Sequence, residues 1–470
     1  WLKIVGHRVP VPVLGQFAIC TRSTTSEQIP YKSRMAEISA SETSPLRLAV
    51  IGAGPIGIEM ALAAAKRGVD VDLFERAPAC AGTVQSYEFV QLFSPWSLNT
   101  TETGLSTLKE LGVSAPDADA FPTGRALLDD YLVHLIKAFK SSPRCRGVHF
   151  GTEVLAVGRG ALLKSESIGG GSMKMPTGKP LVTCERRETP FRLLIDQHEG
   201  ERYMEGFDVV ADCSGSYRAD LANWAGAGGL PALGERHLRS KGRLWMTIPD
   251  VLGADRNKFA GKRTFVVGSG MSAATTVRHL LELADTETGT SIVWSTRSET
   301  KPFTVIEDDV LPQRKALCQM GNNAALGEVK YVDYIGGAAV TAIEQMPNVG
   351  RLRVTLQKHD KAEPHFEEVD QFIGCCGYHP DSSLYEELQV HQCYASNGPM
   401  KLAATLLGGS GDCLKQVSAG VDSLRNPEPG FFILGSKSYG RNSAFLLKIG
   451  HEQVSTVLDA VAPAEPASAL

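Results

Sequence analysis

Two glycine-rich turns hold the residue types and spacing that most clearly indicate chemistry in this sequence. The first is Gly52-Ala53-Gly54-Pro55-Ile56-Gly57, and the second is Gly268-Ser269-Gly270-Met271-Ser272-Ala273. In such a turn the first glycine allows a tight bend, the second lets the backbone approach phosphate groups, and the third position lets a helix pack closely on a strand. The positive end of that helix then faces the phosphates. Both turns therefore predict binding of a dinucleotide.

The first turn is flanked by the secondary structure that this chemistry requires. Leu46–Ile51 predicts a buried strand, an Ala- and Leu-rich helix runs through Arg67, and Val69–Phe74 predicts a second strand ending at Glu75. A carboxylate at that place accepts hydrogen bonds from a ribose diol, with Arg76 next to it. Because an acid disfavours a ribose 2′-phosphate, the first turn predicts FAD or NAD rather than NADP.

The second turn is flanked in the same way, but the end of its second strand differs. Arg263–Val267 predicts the first strand, a helix runs through about Ala284, and Ser291–Trp294 predicts the second strand. Ser295-Thr296-Arg297 follows, with hydroxyls and a guanidinium in place of an acid. Since a guanidinium pairs bidentately with phosphate, we expect this to be an NADPH site. The alternative is that Arg297 is only a solvated charge.

Composition limits the classes of protein that need be considered. The chain has 470 residues, 43% hydrophobic and 21% charged, with a net charge of −4. This length predicts about two or three domains, and the charge balance argues against nucleic-acid binding and polybasic membrane contact. The ten cysteines form no C-x-x-C pair and have no zinc-finger spacing. Their low density in so long a chain excludes a disulfide scaffold, and their scatter fits a reducing compartment.

The segment before the first strand has several interpretations. Residues 1–44 are expected to be an N-terminal extension that is disordered, a transit peptide, or the result of a mis-annotated start, with Met35 as an alternative first residue. We expect a cytoplasmic protein, or organellar import if residues 1–34 are a transit peptide. The apolar stretch from Leu48 to Ala65 contains Glu59 and several glycines, so it predicts strand, turn and helix rather than a membrane span.

With two such units, the chain resembles the two-dinucleotide-binding-domain flavoproteins over about Leu46 to Val461. Phe207–Tyr217 (FDVVADCSGSY) and Val369–Asp381 (VDQFIGCCGYHPD) are similar to the linking strands of that superfamily. The GSGMSAA run is most similar to the NADPH motif of group B flavin monooxygenases. However, the F-x-G-x-x-x-H hallmark of the classical subclass is missing between the two units, as is the C-x-x-C or C-x4-C of the disulfide reductases.

The resemblance implies an α/β fold of two Rossmann-like domains with three layers (ββα/βαβ), the NADPH domain being inserted into a split FAD domain. The predicted boundaries are 45–234 for the first part of the FAD domain, 235–365 for the NADPH domain and 366–462 for the second part, with a tail at 463–470. The expected cofactors are FAD and NADPH.

The activity that the resemblance implies is NADPH-dependent monooxygenation. NADPH would reduce FAD, O2 would add at C4a, and the hydroperoxyflavin would transfer one oxygen to a small substrate with a nucleophilic nitrogen or sulfur. No catalytic side chain and no metal site is assigned. The alternatives are a flavin reductase or oxidase without substrate oxygenation, and a non-catalytic nucleotide-sensing flavoprotein. Expected partners are the substrate and O2, without nucleic acid or integral membrane contact, and a homo-oligomer is left open.

Further site residues follow from the resemblance alone. Trp96, Ser97 and Asn99 would lie against the flavin, with Trp96 as a core residue being the alternative, and Arg125 would lie over the FAD phosphates or be a surface charge. The remaining expected FAD contacts are Val154, Ser214, Gly215, Gly435, Ser436 and Tyr439, and Gly377 is expected beside NADPH.

Other expectations concern structure. Phe121–Phe139 predicts an amphipathic helix with Leu127, Leu128, Tyr131, Leu132 and Leu135 on one face. Gly430–Leu434 predicts a strand, and a helix is expected from about Ser443 to Val461 with Asn442 or Ser443 as its N-cap. The resemblance implies that the loop between them directs backbone N–H groups toward flavin N1 and the C2 carbonyl. Residues 160–190 predict a surface excursion, and the vicinal Cys375-Cys376 predicts a buried structural pair.

Overall fold

The computed structural model of the protein describes residues 45–166, 183–198, 200–347, 350–407, 414 and 420–463. The N-terminal unit of residues 1–44 and the predicted tail beyond residue 463 lie outside these residues. The strands are β1 (Arg47–Ile51), β2 (Asp70–Glu75), β3 (Cys145–Phe150), β4 (Glu153–Arg159), β5 (Phe191–Gln197), β6 (Gly200–Phe207), β7 (Val209–Asp212), β8 (Arg263–Val267), β9 (Ser291–Ser295), β10 (Val332–Ile335), β11 (Ala338–Gln345), β12 (Leu352–Lys358), β13 (His365–Val369), β14 (Gln371–Gly374) and β15 (Phe431–Ile433).

The α-helices of the described residues connect these strands and range from one turn to more than four turns. They are α1 (Pro55–Lys66), α2 (Gly82–Gln85), α3 (Trp96–Asn99), α4 (Glu102–Glu110), α5 (Gly124–Leu127), α6 (Val133–Ser141), α7 (Thr183–Glu188), α8 (Glu235–Ser240), α9 (Arg256–Phe259), α10 (Met271–Thr286), α11 (Pro312–Ala325), α12 (Met400–Leu407), α13 (Val421–Leu424) and α14 (Leu447–Val461). A π-helical turn, Leu128–Leu132, joins α5 to α6 in one helical segment. The predicted amphipathic helix is therefore present, but it begins at Gly124 rather than Phe121 because Thr123 caps it; its five predicted apolar residues are all buried.

The first parallel sheet has the strand order β15-β7-β1-β2-β3. Helices α1, α6 and α14 pack on one face through a core that includes Leu62 and Val457. The antiparallel sheet β4-β5-β6 covers the other face, where Phe191 and Phe207 pack against Ile51 and Phe74. Strands buried on both faces are expected to be continuous apolar runs, which is how β1 reads in the sequence.

The second parallel sheet repeats this arrangement with the order β10-β9-β8-β14. Helices α10 and α11 cover one face, and the antiparallel sheet β11-β12-β13 covers the other. In chain order the second sheet lies between β7 and β15 of the first. The predicted fold class, two three-layer Rossmann-like units with one inserted into the other, is confirmed.

A buried cluster of three charged side chains anchors the segment that was predicted as a surface excursion, residues 160–190, to the rest of the fold. Arg159 and Arg186 both pair with the Glu428 carboxylate, with nitrogen–oxygen distances of 3.0 and 2.7 Å. All three side chains are at most 3% exposed. The cluster ties the end of β4 and helix α7 to the turn before β15. Residues 167–182 of the predicted excursion lie outside the described residues.

Glu59 on α1 gives the molecule a titratable group in its core. Burial raises the pKa of its carboxyl to about 7, although the Thr101 hydroxyl donates a hydrogen bond of 2.6 Å and Lys66 is nearby. The second carboxyl oxygen has no hydrogen-bond partner in the described structure. Folding therefore favours the protonated form of this side chain.

We expect Glu59 to make the protein less stable as pH rises. Between about pH 5 and pH 7 the folded protein keeps the proton that the unfolded chain has lost, so the free energy of unfolding falls with rising pH and stays lower above pH 7. Relative to Glu59→Gln, which does not titrate, the wild type should lose about 2 kcal/mol between pH 5 and pH 8. Urea unfolding at both pH values measures this difference, and parallel pH profiles would contradict it.

Among the described residues, no helix has the length and apolar character needed to cross a membrane. The predicted strand and helix at Leu48–Ala65 are β1 and α1, separated by the glycine turn.

Candidate dinucleotide-binding sites

The first glycine turn joins β1 to α1 and is packed from two sides. Gly52 has a φ of +95°, and a Cβ there would lie 2.8 Å from the Cys213 carbonyl oxygen. A Cβ on Gly57 would lie 1.8 Å from the Gly52 carbonyl oxygen, so only glycine lets α1 pack against the turn. In contrast, a Cβ on Gly54 would have no other part of the protein within 4 Å. The middle glycine therefore faces open space at the start of α1.

The N-terminus of α1 has the features of an anion-binding site. Pro55 occupies its first turn, and no side chain caps the helix. The first N–H groups of a helix have no intrahelical partner and carry its positive dipole end. Beside them, Glu75 accepts hydrogen bonds from Ala53 N at 2.7 Å and Ala77 N at 2.9 Å. A carboxylate has about four lone-pair sites, so Glu75 can still accept from a bound diol.

A cavity of about 490 Å³ lies against this turn, within the range typical of cofactor sites. It is lined by eleven of the predicted FAD contacts: Gly52, Gly54, Pro55, Ile56, Glu75, Arg76, Val154, Ser214, Gly215, Gly435 and Ser436. The sequence motifs at the ends of β1, β2, β7 and β15 and at the start of β4 thus meet at one cavity. Apolar side chains such as Val90, Phe93, Ile248 and Phe445 line the rest of it.

Six other predicted FAD contacts do not line this cavity; one is Gly57, which packs α1 against the turn, and five lie elsewhere. Trp96 is buried and its ring lies 6.3 Å from the ring of Tyr131, which is the core position that the sequence left open as an alternative. Asn99 is buried and donates to the carbonyls of Ser94 and Pro95. The other three are Ser97, which is exposed; Arg125, which is exposed and pairs with Glu88; and Tyr439, which is buried against Phe445.

Lys437, which lines the cavity, belongs to a buried ion pair. The Lys437 ammonium lies 2.7 Å from an Asp212 carboxylate oxygen, and the two side chains are 1% and 0% exposed. Lys437 also donates to the Ser214 hydroxyl at 3.0 Å, and that hydroxyl donates to Asp212 at 2.7 Å. The Ser214 proton is therefore already committed, so this hydroxyl can offer a ligand only an acceptor lone pair.

Sequence reasoning missed the pairing of Lys437 with Asp212. One signal could have indicated this pairing: Asp212 ends the apolar run of β7. A buried acid at such a position needs a partner cation. Tyr217, Arg218 and Asp381, which also line the cavity, were missed because they follow the linking strands at positions without a glycine motif. Within the described residues, no group of three or more His, Cys, Asp or Glu side chains could hold a metal ion.

The segment after β15 differs from its prediction. Helix α14 begins at Leu447, not Ser443, and neither Asn442 nor Ser443 caps it; the N-cap is Leu446, without a side-chain bond. Asn442 instead accepts from Ala444 N at 2.9 Å, a local bond that competes with helix formation. The Gly435 N–H, one of the groups expected to face flavin, donates to the Gln453 side chain at 2.8 Å. This N–H is therefore not free for a ligand.

The second glycine turn joins β8 to α10 and has the same geometry as the first. A Cβ on Gly268 would lie 2.2 Å from the Cys375 carbonyl oxygen, whereas one on Gly270 would have no other part of the protein within 4 Å. Helix α10 begins at Met271, and no side chain caps it. The predicted residues Ser272 and Ala273 lie in its first turn. This turn, too, presents uncapped N–H groups to open space.

The remaining predicted NADPH residues lie around this turn. Arg297 is exposed just after β9 and makes no hydrogen bond or ion pair with the rest of the described chain. Gly377 follows β14, with a φ of +81° that favours glycine. Burial raises the pKa of the Cys375 and Cys376 thiols to about 12, and both thiols are free. Such thiols are poor nucleophiles at neutral pH.

The comparisons with known proteins concern the fold. Residues 18–91 match the family model described as pyridine nucleotide-disulphide oxidoreductase. The bacillithiol disulfide reductase Bdr (YpdA) from Bacillus cereus has a TM-score of 0.57 at 15% identity, covering 89% of this chain and 99% of its own. The FAD-bound cadaverine monooxygenase DfoA from Erwinia amylovora has a TM-score of 0.58 at 13% identity, covering 89% and 94%.

A flavin monooxygenase from Stenotrophomonas maltophilia has a TM-score of 0.52 at 16% identity, covering 89% of this chain and 99% of its own. No curated protein sequence matches the chain. The fold is that of the two-dinucleotide-binding-domain flavoproteins, as the sequence predicted. This fold is common to monooxygenases and disulfide reductases, so the reaction must be argued from the site.

Proposed function

We propose that this chain is an FAD-dependent oxidoreductase that uses NADPH, and that it acts as a monooxygenase on small substrates with a nucleophilic nitrogen or sulfur. FAD would bind in the first cavity and NADPH beside the second turn. The predicted domain boundaries at residues 235 and 365 are kept in this proposal.

The observation that carries the proposal is the pair of open glycine turns. Gly54 and Gly270 each face open space at an uncapped helix N-terminus, on two separate parallel sheets. The strand ends beside them carry opposite charges, Glu75 at the first and Arg297 at the second. A carboxylate suits an unphosphorylated ribose, and an unpaired guanidinium suits a 2′-phosphate. This combination supports two different dinucleotides in one chain.

The residues of the first cavity fit FAD. The start of α1 would hold the pyrophosphate, and Glu75 would hold the adenosine ribose. Lys437 would place an ammonium group at the cavity wall, with its charge balanced by Asp212 and its position fixed by Asp212 and Ser214. Val90, Phe93, Ile248 and Phe445 would exclude water from the other end. When bound, FAD supplies the redox chemistry by accepting a hydride from NADPH and passing electrons onward.

The cysteines give the reason to prefer oxygenation over disulfide reduction. The sequence has neither C-x-x-C nor C-x4-C. Cys213 is the cysteine among the described lining residues of the first cavity, and burial raises the pKa of its thiol well above the ordinary range. Disulfide exchange needs a thiolate and a second thiol to resolve it. The described part of the cavity therefore favours an electron acceptor other than a disulfide.

The test begins with the absorbance spectrum of the purified protein, which should show bound flavin. NADPH oxidation is then followed under ¹⁸O₂ with a panel of amines and thioethers, while hydrogen peroxide is measured. A monooxygenase should release less than one peroxide per NADPH with its substrate and should place ¹⁸O in the product. Stoichiometric peroxide and no label with every substrate would leave a reductase or oxidase. Protein that neither contains nor takes up flavin would overturn the proposal.

Arg297→Ala should raise KM for NADPH about tenfold to a hundredfold and leave KM for NADH nearly unchanged. The reason is the loss of a charge-assisted hydrogen bond to the 2′-phosphate, which NADH lacks. Arg353→Ala on β12, where the arginine pairs with Glu368, is the matched control and should affect neither. Steady-state kinetics with both nucleotides decides the matter, and equal effects on the two would refute the role given to Arg297.

A further inference from the structure

One side chain of the proposed NADPH domain, the inserted unit, reaches the first cavity. Among the described residues that line this cavity, Ile248 is the one that lies between residues 235 and 365; the others lie before or after that range. Its side chain is apolar and buried. The wall of the first cavity is therefore completed by the inserted unit and not by the proposed FAD domain alone.

The segment that carries Ile248 is anchored to the second sheet. Trp245 N donates to the Phe372 carbonyl at 3.0 Å, and Gly374 N donates to the Trp245 carbonyl at 2.8 Å, so the segment extends this sheet beside β14. A Cβ on Gly374 would lie 2.5 Å from the Met246 Cε atom, so the two segments pack closely. Because Ile248 follows only three residues after Trp245, its position depends on that of the second sheet.

Two tyrosine hydroxyls fix this segment where the two units meet. Tyr217, which follows β7 and also lines the first cavity, accepts a hydrogen bond from Ile248 N at 3.1 Å. Tyr378, which follows β14, donates to the Met246 carbonyl at 3.0 Å. The centroids of these two tyrosine rings are 4.9 Å apart, and the Tyr87 ring packs edge-on against Tyr217 at 5.5 Å. The backbone that carries Ile248 is thus held from both sides of the junction.

Both hydroxyls keep their protons at neutral pH. Burial raises the pKa of the Tyr217 hydroxyl to about 12, and it also raises the pKa of the Tyr378 hydroxyl. As neutral groups they fix the backbone near Ile248 without placing a charge beside the cavity. An apolar side chain held by neutral hydrogen bonds is suited to excluding water.

We propose that Ile248 is the seal with which the inserted unit closes the first cavity against water, and that Tyr217 and Tyr378 are the positioning residues that keep it in place. The inference rests on the part of the proposed function that places FAD in this cavity, and not on the reaction that follows. It makes the access of water to the flavin depend on where the inserted unit lies relative to the first sheet.

The test measures how strongly iodide quenches the fluorescence of bound flavin in the purified holoprotein. Ile248→Ala should raise the quenching constant about threefold to tenfold, because the shorter side chain opens the cavity to solvent. Tyr217→Phe and Tyr378→Phe keep their rings and lose only the hydroxyls. Each should raise the constant about twofold to fivefold, since one hydrogen bond no longer favours the closed position.

A matched control separates the seal from a general loss of packing. Val251 is buried three residues after Ile248 but does not line the cavity. Val251→Ala therefore removes a neighbouring apolar side chain without opening the cavity, and its quenching constant should equal that of the wild type.

Hydrogen exchange at the Ile248 amide gives a readout that needs no flavin. In Tyr217→Phe this amide loses its acceptor, so it should exchange about fivefold faster in the apoprotein and in the holoprotein. Tyr394→Phe, at a tyrosine that is 97% exposed, should leave the exchange rate unchanged.

Unchanged iodide quenching in Ile248→Ala, or an equal rise in Val251→Ala, would overturn the inference. The two tyrosine variants decide the question even if Ile248→Ala does not fold. Yellow protein that oxygenates no substrate but shows the expected quenching would support the inference while the proposed reaction fails. Oxygenation by protein whose flavin is no more exposed in Ile248→Ala would do the reverse.

Discussion

Gly54→Val should yield folded but colourless protein, with FAD affinity reduced at least about a hundredfold, or roughly 3 kcal/mol. The fold itself should tolerate the change. Gly54 has a φ of −77°, which valine can adopt, and a Cβ added there would have no other part of the protein within 4 Å. The isopropyl group would instead fill the space that the pyrophosphate needs at the start of α1. Flavin content after purification and a fluorescence titration with FAD measure the effect.

The second turn provides a matched control within the same chain. Gly270 has a φ of −94° and equally open surroundings. We therefore expect Gly270→Val to change the stability of the fold as little as Gly54→Val does. This variant should keep its flavin and lose NADPH-dependent flavin reduction. If both variants kept full flavin, or both lost it, the assignment of different ligands to the two turns would be wrong.

Glu428→Gln should lower the free energy of unfolding by about 3–5 kcal/mol, because it leaves Arg159 and Arg186 as buried charges without a carboxylate. Both guanidiniums also donate to backbone carbonyls, including those of Thr189 and Leu163, but such bonds do not neutralise charge. Urea unfolding followed by near-ultraviolet circular dichroism measures the loss.

The exposed pair of Lys66 and Glu110 is the comparison for this prediction. Its nitrogen–oxygen distance, 3.0 Å, equals that between Arg159 and Glu428, but its side chains are 35% and 62% exposed. Glu110→Gln should therefore cost less than about 1 kcal/mol. Similar losses in the two variants would show that burial is not what makes Glu428 important.

Much of the fold could be predicted because its signals are local. The apolar runs of β1 and β8, the glycine turns after them and the helices that follow are contiguous in sequence, so periodicity and turn chemistry suffice to place them. The end of β9 beside Arg297 could be placed for the same reason. The start of α14 was misplaced because the backbone at Leu446 stays extended, while Phe445 and Leu447 line the first cavity, a tertiary contact that no local pattern reveals.

The site was predicted less completely, since its charged residues meet only in the folded chain. Asp212 and Lys437 are far apart in sequence, and their pairing follows from β7 and β15 being neighbours in the first sheet. In contrast, Trp96 carries an aromatic signal that fits either a cofactor contact or a core residue, and its packing against Tyr131 decides where it lies.

The interleaving of the two sheets governs the order of events during synthesis. Strand β15 and Leu447, which complete the first sheet and its cavity, leave the ribosome only after the whole second sheet has been made. The inserted unit can therefore fold while the unit that encloses it is still missing a strand, because domains generally fold as units during translation. Loading of a ligand into the first cavity therefore follows the synthesis of the inserted unit, and the nascent chain exposes the unpaired edge of β7 to chaperones until then.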